Sequence, residues 1–531
     1  MELTLGAIGG TALALFIGCL LLEAYFASSR EPGEPANVRP WIPLIGHGLG
    51  IMRNRTGYFS RIDAKLKTGI FALQIFSFRM YVVTDRALIT PVQRAARTIS
   101  FNPFIKKANA AFVKLSDKGL DLHDDASFLH DFKNVSVKGM APGADLDRLN
   151  LVTVQEELHN IDRLAAQCVA TAGKPVLIDL MKWIQHLLSI SATEGIYGPQ
   201  NPFKNAEHEK SFWTFHSKLK ELLIGVLPGL IARKAVKAQS ANGGRYESFL
   251  RNKGHETASA TLQARTSLFA DRDLSLRENA WMNIGYDVAI LANFVPTAFW
   301  AVYNVISRPA LLAQIRDELV ATETVARDAD DGSCVLDLSR LRTSCPLMLS
   351  AFQETQRVAT THAMIREVLA DTTISTDTSS YLLKKGAYVQ VASVPTLRSA
   401  EIWGDDPAVF DPHRFIKLKK DAASSIVRPA DLPSAAFPVW GIAPHVCPAR
   451  QYASTGCLAL VAMLAMRFEF LPAEGGGGEW KARLRTRIDF QSVVLPDEKV
   501  RVCVRLRKGW NEGVWRVVVG EVGTRMVLAV H

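Results

Sequence analysis

The chain has 531 residues, 48% of them hydrophobic, and carries a formal net charge of +10. The apolar share is ample for a deep core, and no repeat, Gly/Ser-rich linker or long charge block divides it, which argues against several separate domains. The basic residues are spread along the chain rather than gathered in one stripe, so neither a nucleic-acid module nor a nucleic-acid partner is expected.

Leu3 to Leu22 holds no charged residue, and the apolar character continues to about Phe26. About twenty apolar residues span a bilayer as a helix. Arg30, Arg39 and Arg53 follow on the downstream side, which assigns that side to the cytosol. Residues 1–28 are therefore expected to be an uncleaved transmembrane anchor; a cleaved signal would need a basic leading region. Residues 29–45 are rich in proline (Pro32, Pro35, Pro40, Pro43), which stiffens the exit and stops the helix.

Trp281 to Val305 is apolar and long enough for a central buried helix, interrupted by Pro296. Asn293 is the polar residue nearest that proline, with Thr297 just beyond it. Pro346 to about Ala359 reads as a helix whose Glu354 and Arg357 share a face at i, i+3 spacing. The stretch Phe410-Asp-Pro-His-Arg414-Phe415 follows. Lys417, Lys419 and Lys420 form the densest short basic cluster, either a solvated face or a docking surface for an acidic partner or anionic lipid.

Next comes Phe437-Pro-Val-Trp440-Gly441-Ile-Ala-Pro-His445-Val-Cys447-Pro-Ala-Arg450, then an apolar helical run to about Phe468. A cysteine at a helix start faces amide N–H groups and a partial positive charge, which favours thiolate and makes it a poised metal ligand. Pro448 is expected in the first turn, where its missing N–H costs nothing. The seven cysteines, Cys19, Cys168, Cys334, Cys345, Cys447, Cys457 and Cys503, show no zinc or disulfide spacing. Gly475 to Gly478 reads as a surface loop, and Arg501 to Arg507 as a closing strand. Val514 to Gly520 could add a further strand or belong to a poorly packed tail.

The loop at Cys447, with Trp440, small residues and His445 before Cys-Pro, resembles the haem-ligand loop of the cytochrome P450 family, particularly its fungal form. Family members usually carry Gly where this chain has Ala443 and Ala449. The Glu354–Arg357 pair and the later Arg414 resemble the family's second and third motifs, and the resemblance extends over roughly residues 35–510. It implies a mainly α fold with small β-sheets, a haem-thiolate catalytic domain over residues 46–510, and an extension of unassigned role over residues 511–531. It further implies haem b held by the axial thiolate of Cys447, with His445, Trp440 and Arg366 beside the cofactor. Arg366 would pair with a propionate, and Glu354, Arg357 and Arg414 would form a structural triad.

The sequence Ala292-Asn-Phe-Val-Pro296 and the stretch Thr361-His362-Ala-Met-Ile-Arg366 resemble the branch containing sterol 7α-hydroxylases and prostacyclin synthase. The usual acid–alcohol pair is replaced by Val295 and Pro296, leaving Asn293 and Thr297 as candidate catalytic side chains. No Trp-x-x-x-Arg occurs between residues 110 and 150; Lys133, Lys138 and Arg148 are alternative basic partners for a propionate. The implied activity is monooxygenation of an apolar terpenoid, steroid-like or polyketide natural product. The implied partner is NADPH-cytochrome P450 reductase, at the endoplasmic reticulum membrane with the catalytic domain cytosolic. The alternatives are a redox-independent isomerase or dehydratase on the same fold, and a non-catalytic haem or lipid binder.

Overall fold

The computed structural model describes residues 14, 17–25, 30–54, 56–75, 78–171, 174–361, 363–417, 431–473, 479–488, 491–510 and 513–529. Most of the expected anchor, His362, Lys419, Lys420 and Gly475 to Gly478 lie outside the described residues. The fold is mainly helical with small sheets, and one large apolar core joins its long helices.

The central helix runs Leu276–Ile306. Its start is dictated locally. Ser275 accepts from the Glu278 amide, and the Glu278 carboxylate accepts in return from the Ser275 N–H, a reciprocal capping box. The same carboxylate accepts from the backbone and hydroxyl of Ser116 at 3.0 and 2.6 Å. Further along, Asp287 accepts from the hydroxyls of Tyr197 and Tyr246, which tie two neighbouring helices to the central one. Among the described residues this is the one helix apolar and long enough to cross a membrane, yet it is buried as core.

Three helices pack around it, Leu180–Tyr197, Arg233–Arg251 and Arg450–Arg467, and Ala144–Ala170 packs in turn on the first and last of these. The helix Pro346–Ala359 also lies against it, with proline at its first position, where no intrahelical N–H is needed.

A six-stranded sheet stands to one side, ordered Asn37–Val38, Ile70–Ile75, Phe78–Val83, Tyr388–Ala392, Ala363–Val368 and Ile99–Ser100. Alternation along Ala363–Val368 buries Met364, Arg366 and Val368 together. The proline-rich segment is docked rather than free. Asn37–Val38 pairs in parallel with Ala72–Leu73, and the buried Glu34 carboxylate accepts from Arg79 Nη1 at 2.5 Å and Tyr81 Oη at 2.7 Å.

Residues 513–529 also belong to the fold. Trp515–Val518 pairs in parallel with Cys334–Asp337, and Trp515, Val517, Met526 and Leu528 enter the main core. All seven cysteines are unpaired.

Candidate functional site

Cys447 lies in a loop between the 3₁₀ turn Pro438–Trp440 and the helix Arg450–Arg467. The loop is closed by its own backbone. The Cys447 N–H donates to the Trp440 carbonyl at 2.8 Å, and His445 N–H donates to Ile442 at 3.0 Å. Gly441 makes the tight passage possible: its φ is +87°, and a Cβ there would meet the His445 carbonyl oxygen at 2.8 Å. Between residues 437 and 450, Gly441 is the one residue in the left-handed region. Ala443 and Ala449 therefore occupy conformations open to any L-residue, and Ala449 caps the helix at φ −82°.

The helix begins at Arg450, so Pro448 precedes the cap rather than occupying the first turn. The Cys447–Trp440 bond holds the chain in the loop up to that proline. Burial pushes the Cys447 thiol up, while the Ala449 amide and the Arg450 charge work against that rise. Arg450 Nη1 also donates to the Cys447 carbonyl at 3.1 Å.

A cavity of about 450 Å³ opens between this loop, the central helix and the sheet. Gly441, Ile442 and His445 form one wall, Val288, Ala289, Ala292 and Asn293 a second, and Thr361, Met364, Ile365 and Arg366 a third. Phe101 and Phe104 stack on each other at the rim, and Phe101 meets the His445 ring edge-on at 5.6 Å between centroids. Burial, then the charges of Arg366 and Lys133, push His445 down to about 4, so its imidazole is neutral.

Arg366 is the informative group. It is buried, and burial pulls its guanidinium down to about 10. Its Nη2 reaches the Ile442 carbonyl only at 3.4 Å, and its Nε has no partner. The Trp440 Nε1 is likewise buried without a partner. A buried cation on a cavity wall with unspent donors fits an anionic group in that cavity. The donor set thus suits an apolar ligand bearing an anionic group, and Cys447 in the adjoining loop offers a soft sulfur to a metal.

Below the loop, Glu354 is fully buried and accepts from Arg357 Nε at 2.7 Å and Nη2 at 2.8 Å, from Arg414 Nε at 3.1 Å and from the Asp411 amide at 3.1 Å. Arg357 Nη1 donates onward to the carbonyls of Leu397 and Pro407 at 2.6 and 2.5 Å. Arg414 donates to the carbonyls of Trp403 and Val409. Two guanidinium forks thus fix the irregular chain from residue 397 to 411 against one helix.

On the central helix, Asn293 faces the cavity and its Oδ1 accepts from the Ser492 amide at 2.8 Å. Thr297 is buried and does not line that cavity; its hydroxyl donates to the Asn293 carbonyl at 2.7 Å. Pro296 lacks the N–H that would bond Ala292, and this hydroxyl bond adds support to the same turn. A second cavity of about 430 Å³ reaches Ala292, Val295 and Pro296 from the other side, lined by Asp179, Lys182, Asp497 and Glu498. A third, of about 720 Å³, shares Met80, Phe104 and Ile365 with the first. Gln491, Ser492, Phe101 and Phe104 were missed from sequence: the first two lie in an irregular segment, the others at the start of the helix Asn102–Phe112, and only the fold brings them to the cavity.

Comparison with known proteins bears on this arrangement. The family model for cytochrome P450 matches residues 293–504. A cytochrome P450 monooxygenase, nodJ, of Hypoxylon pulicicidum is 31% identical over 519 residues, covering 96% of this chain and 98% of that protein. A cytochrome P450 monooxygenase of Gibberella zeae is 25% identical over 523 residues, covering 97% and 96%. A 25-hydroxycholesterol 7-alpha-hydroxylase of Rattus norvegicus is 27% identical over 219 residues, covering 40% of this chain and 52% of that protein.

Proposed function

The chain belongs to the cytochrome P450 family of haem-thiolate monooxygenases, and from that premise we propose that it oxidises an apolar natural product, of terpenoid, steroid-like or polyketide class, in secondary metabolite biosynthesis. The observation that carries this reading is the cavity against the loop that bears Cys447: mainly apolar walls, the unspent guanidinium of Arg366, and the Asn293 amide as its polar group on the central helix. Haem, when bound, supplies the activation of dioxygen, and a thiolate ligand favours O–O cleavage.

In this reading Cys447 supplies the thiolate and the Ala449 amide turns toward its sulfur. Arg366 receives a propionate. Neutral His445 and Trp440 shape the wall near the cofactor. The triad Glu354, Arg357 and Arg414 holds the chain beneath the ligand loop without touching the reaction. The substrate enters through the larger cavity that shares Met80, Phe104 and Ile365, which suits a molecule longer than the inner chamber.

Proton delivery has an unusual arrangement. Val295 and Pro296 cannot deliver a proton, and the Thr297 hydroxyl is engaged by the Asn293 carbonyl. The proton route is therefore water, positioned by Asn293 and fed from the polar-lined cavity at Ala292 and Pro296. A positioned donor contributes roughly 10²–10⁴-fold to such a step. Asn293→Ala should slow product formation or divert reducing equivalents to peroxide. The lack of a free acid–alcohol pair also favours one rival, a redox-independent isomerase or dehydratase.

The experiment is turnover with NADPH, a reductase and isotopically labelled dioxygen. One labelled oxygen atom should enter the product, and omitting the reductase should abolish turnover. Product formed under nitrogen without an electron donor would overturn the oxidative reading and leave the isomerase.

NADPH-cytochrome P450 reductase is the proposed electron donor. The endoplasmic reticulum membrane is the proposed location, with one N-terminal span and a cytosolic catalytic domain. Residues 17–25 are helical, with Leu20, Leu21, Leu22 and Tyr25 exposed. A second exposed apolar patch, Ile224, Val226, Leu227, Leu230 and Ile231, is suited to the same interface.

A further inference from the structure

The described part of the C-terminal extension, residues 513–529, is fastened to four helices of the catalytic core by side chains that have no other role in the site. After the strand Trp515–Val518, the Glu521 amide donates to Ser339 Oγ at 2.8 Å, and that hydroxyl donates back to the Glu521 carbonyl. The Gly523 amide donates to Asp147 Oδ2 at 2.7 Å, beside the buried Asp147–Arg342 pair. Gln451 then grips one residue from both sides: its Nε2 donates to the Met526 carbonyl at 2.9 Å, and its Oε1 accepts from the Met526 amide at 3.0 Å. Finally, the Ala529 amide donates to Gln353 Oε1 at 2.6 Å.

These anchor points are not arbitrary positions. Gln451 is the second residue of the helix that follows Cys447, and Gln353 immediately precedes Glu354 of the buried triad. Both glutamines, and Met526 and Ala529, are buried. Ala529 packs in the cluster of Leu397, Trp403, Phe415 and Phe437. Leu397 and Trp403 are the residues whose carbonyls receive Arg357 and Arg414. One segment therefore bridges the helix that follows the cysteine, the triad helix and the irregular chain between them. A side-chain amide that takes both the N–H and the C=O of one residue sets register as a strand partner does.

We propose that residues 513–529 form a strap that locks the helix after Cys447 against the triad, with Gln451 and Gln353 as positioning residues that keep the Cys447 sulfur at the haem. Nothing in the chemistry requires the strap, and neither glutamine lines the cavity. Its action is mechanical: with the clasp open, the N-terminal turn of the helix Arg450–Arg467 loses its tie to Met526, and the loop that ends on that turn loses the support of the strap.

The inference rests on Cys447 being the ligand, and the test separates the two. Full-length wild type, Gln451→Leu, Gln353→Leu and Arg516→Ala are loaded with haem, reduced and exposed to carbon monoxide. Total haem and the share in the red-shifted, thiolate-ligated band are followed at a fixed temperature. Arg516 is a control on the exposed side of the strap, paired with Asp328. The two glutamine variants should bind haem as wild type does but lose the thiolate-ligated band about tenfold faster, the scale of one to two neutral hydrogen bonds. Arg516→Ala should match wild type. Glutamine variants that lose the band at the wild-type rate would overturn the strap, as would variants that lose haem and thiolate band together in constant ratio. Absence of the band from wild type would remove the ligand assignment and the strap with it.

Discussion

Replacing Glu354 by alanine tests the most tightly specified contact set below the ligand loop. The carboxylate is fully buried and accepts four hydrogen bonds, three of them from the guanidiniums of Arg357 and Arg414. Alanine removes the anion and leaves two buried cations facing only backbone carbonyls. Removing one partner of a buried pair costs about 3–5 kcal/mol, mostly as the penalty of the uncompensated charge. Unfolding entropy of about 2.1 cal/mol/K per residue makes roughly 1 kcal/mol/K for a chain of this size, so the melting temperature should fall by about 3–5 °C. The loss should be larger for haem retention than for helix content, because the freed segment is the irregular chain from residue 397 to 411. The assay is thermal unfolding followed by far-ultraviolet circular dichroism, with haem content measured alongside. Glu354→Gln, which keeps the shape and one acceptor, should fall between. A Glu354→Ala protein that melts with wild type and keeps all its haem would refute the reasoning.

Other outcomes follow from single groups. Arg366→Leu should weaken haem retention at least about tenfold while leaving the haem-free protein as stable as wild type or more so, because an unpaired buried cation is costly; equal haem retention would contradict the propionate role. Gly441→Ala should lower haem incorporation, since the left-handed backbone costs roughly 1–2 kcal/mol for an L-residue and the added carbon meets the His445 carbonyl; wild-type incorporation would exclude a tight loop there. Burial would raise the Glu278 carboxyl, but hydrogen bonds from Ser116 and Ser275 outweigh it and hold the group down to about 2. Its stabilising contribution is therefore present above the ordinary carboxylate range and is lost as pH falls through that range towards 2. Glu278→Gln should lower the urea midpoint at neutral pH, and its gap from wild type should narrow on acidification. A gap that is constant or widens would show the carboxylate charge to be irrelevant.

The site was legible from sequence where chemistry demands particular residues at particular spacing. Cys447 was named because a cysteine at a helix start is a poised metal ligand; Trp440, His445, Arg366 and the triad Glu354, Arg357 and Arg414 were named through the resemblance to the cytochrome P450 family. The central helix, the helix Pro346–Ala359 and the helix after Cys447 were legible because long apolar or capped runs carry their own signal. What escaped was set by distant contacts. Thr297 was a candidate catalytic hydroxyl, yet it closes on the Asn293 carbonyl one turn back, the bond a helical threonine readily makes to its own backbone. The proline-rich segment was read only as a stiff exit from the anchor; its docking through the buried Glu34 carboxylate, which Arg79 and Tyr81 of the sheet hold, depends on residues distant in the chain. The stretch after Trp510 left strand and loose tail equally open. The structure makes it a strand and then a strap, because its partners Cys334–Asp337, Gln451 and Gln353 lie far away in the chain.

The most direct measurement is the absorbance spectrum of reduced, carbon-monoxide-bound protein, taken on wild type and on Cys447→Ala. Wild type should show the strongly red-shifted Soret band of a thiolate-ligated haem, and Cys447→Ala should lack it. A Cys447→Ala protein that retained that band would contradict the assignment of Cys447 as the ligand.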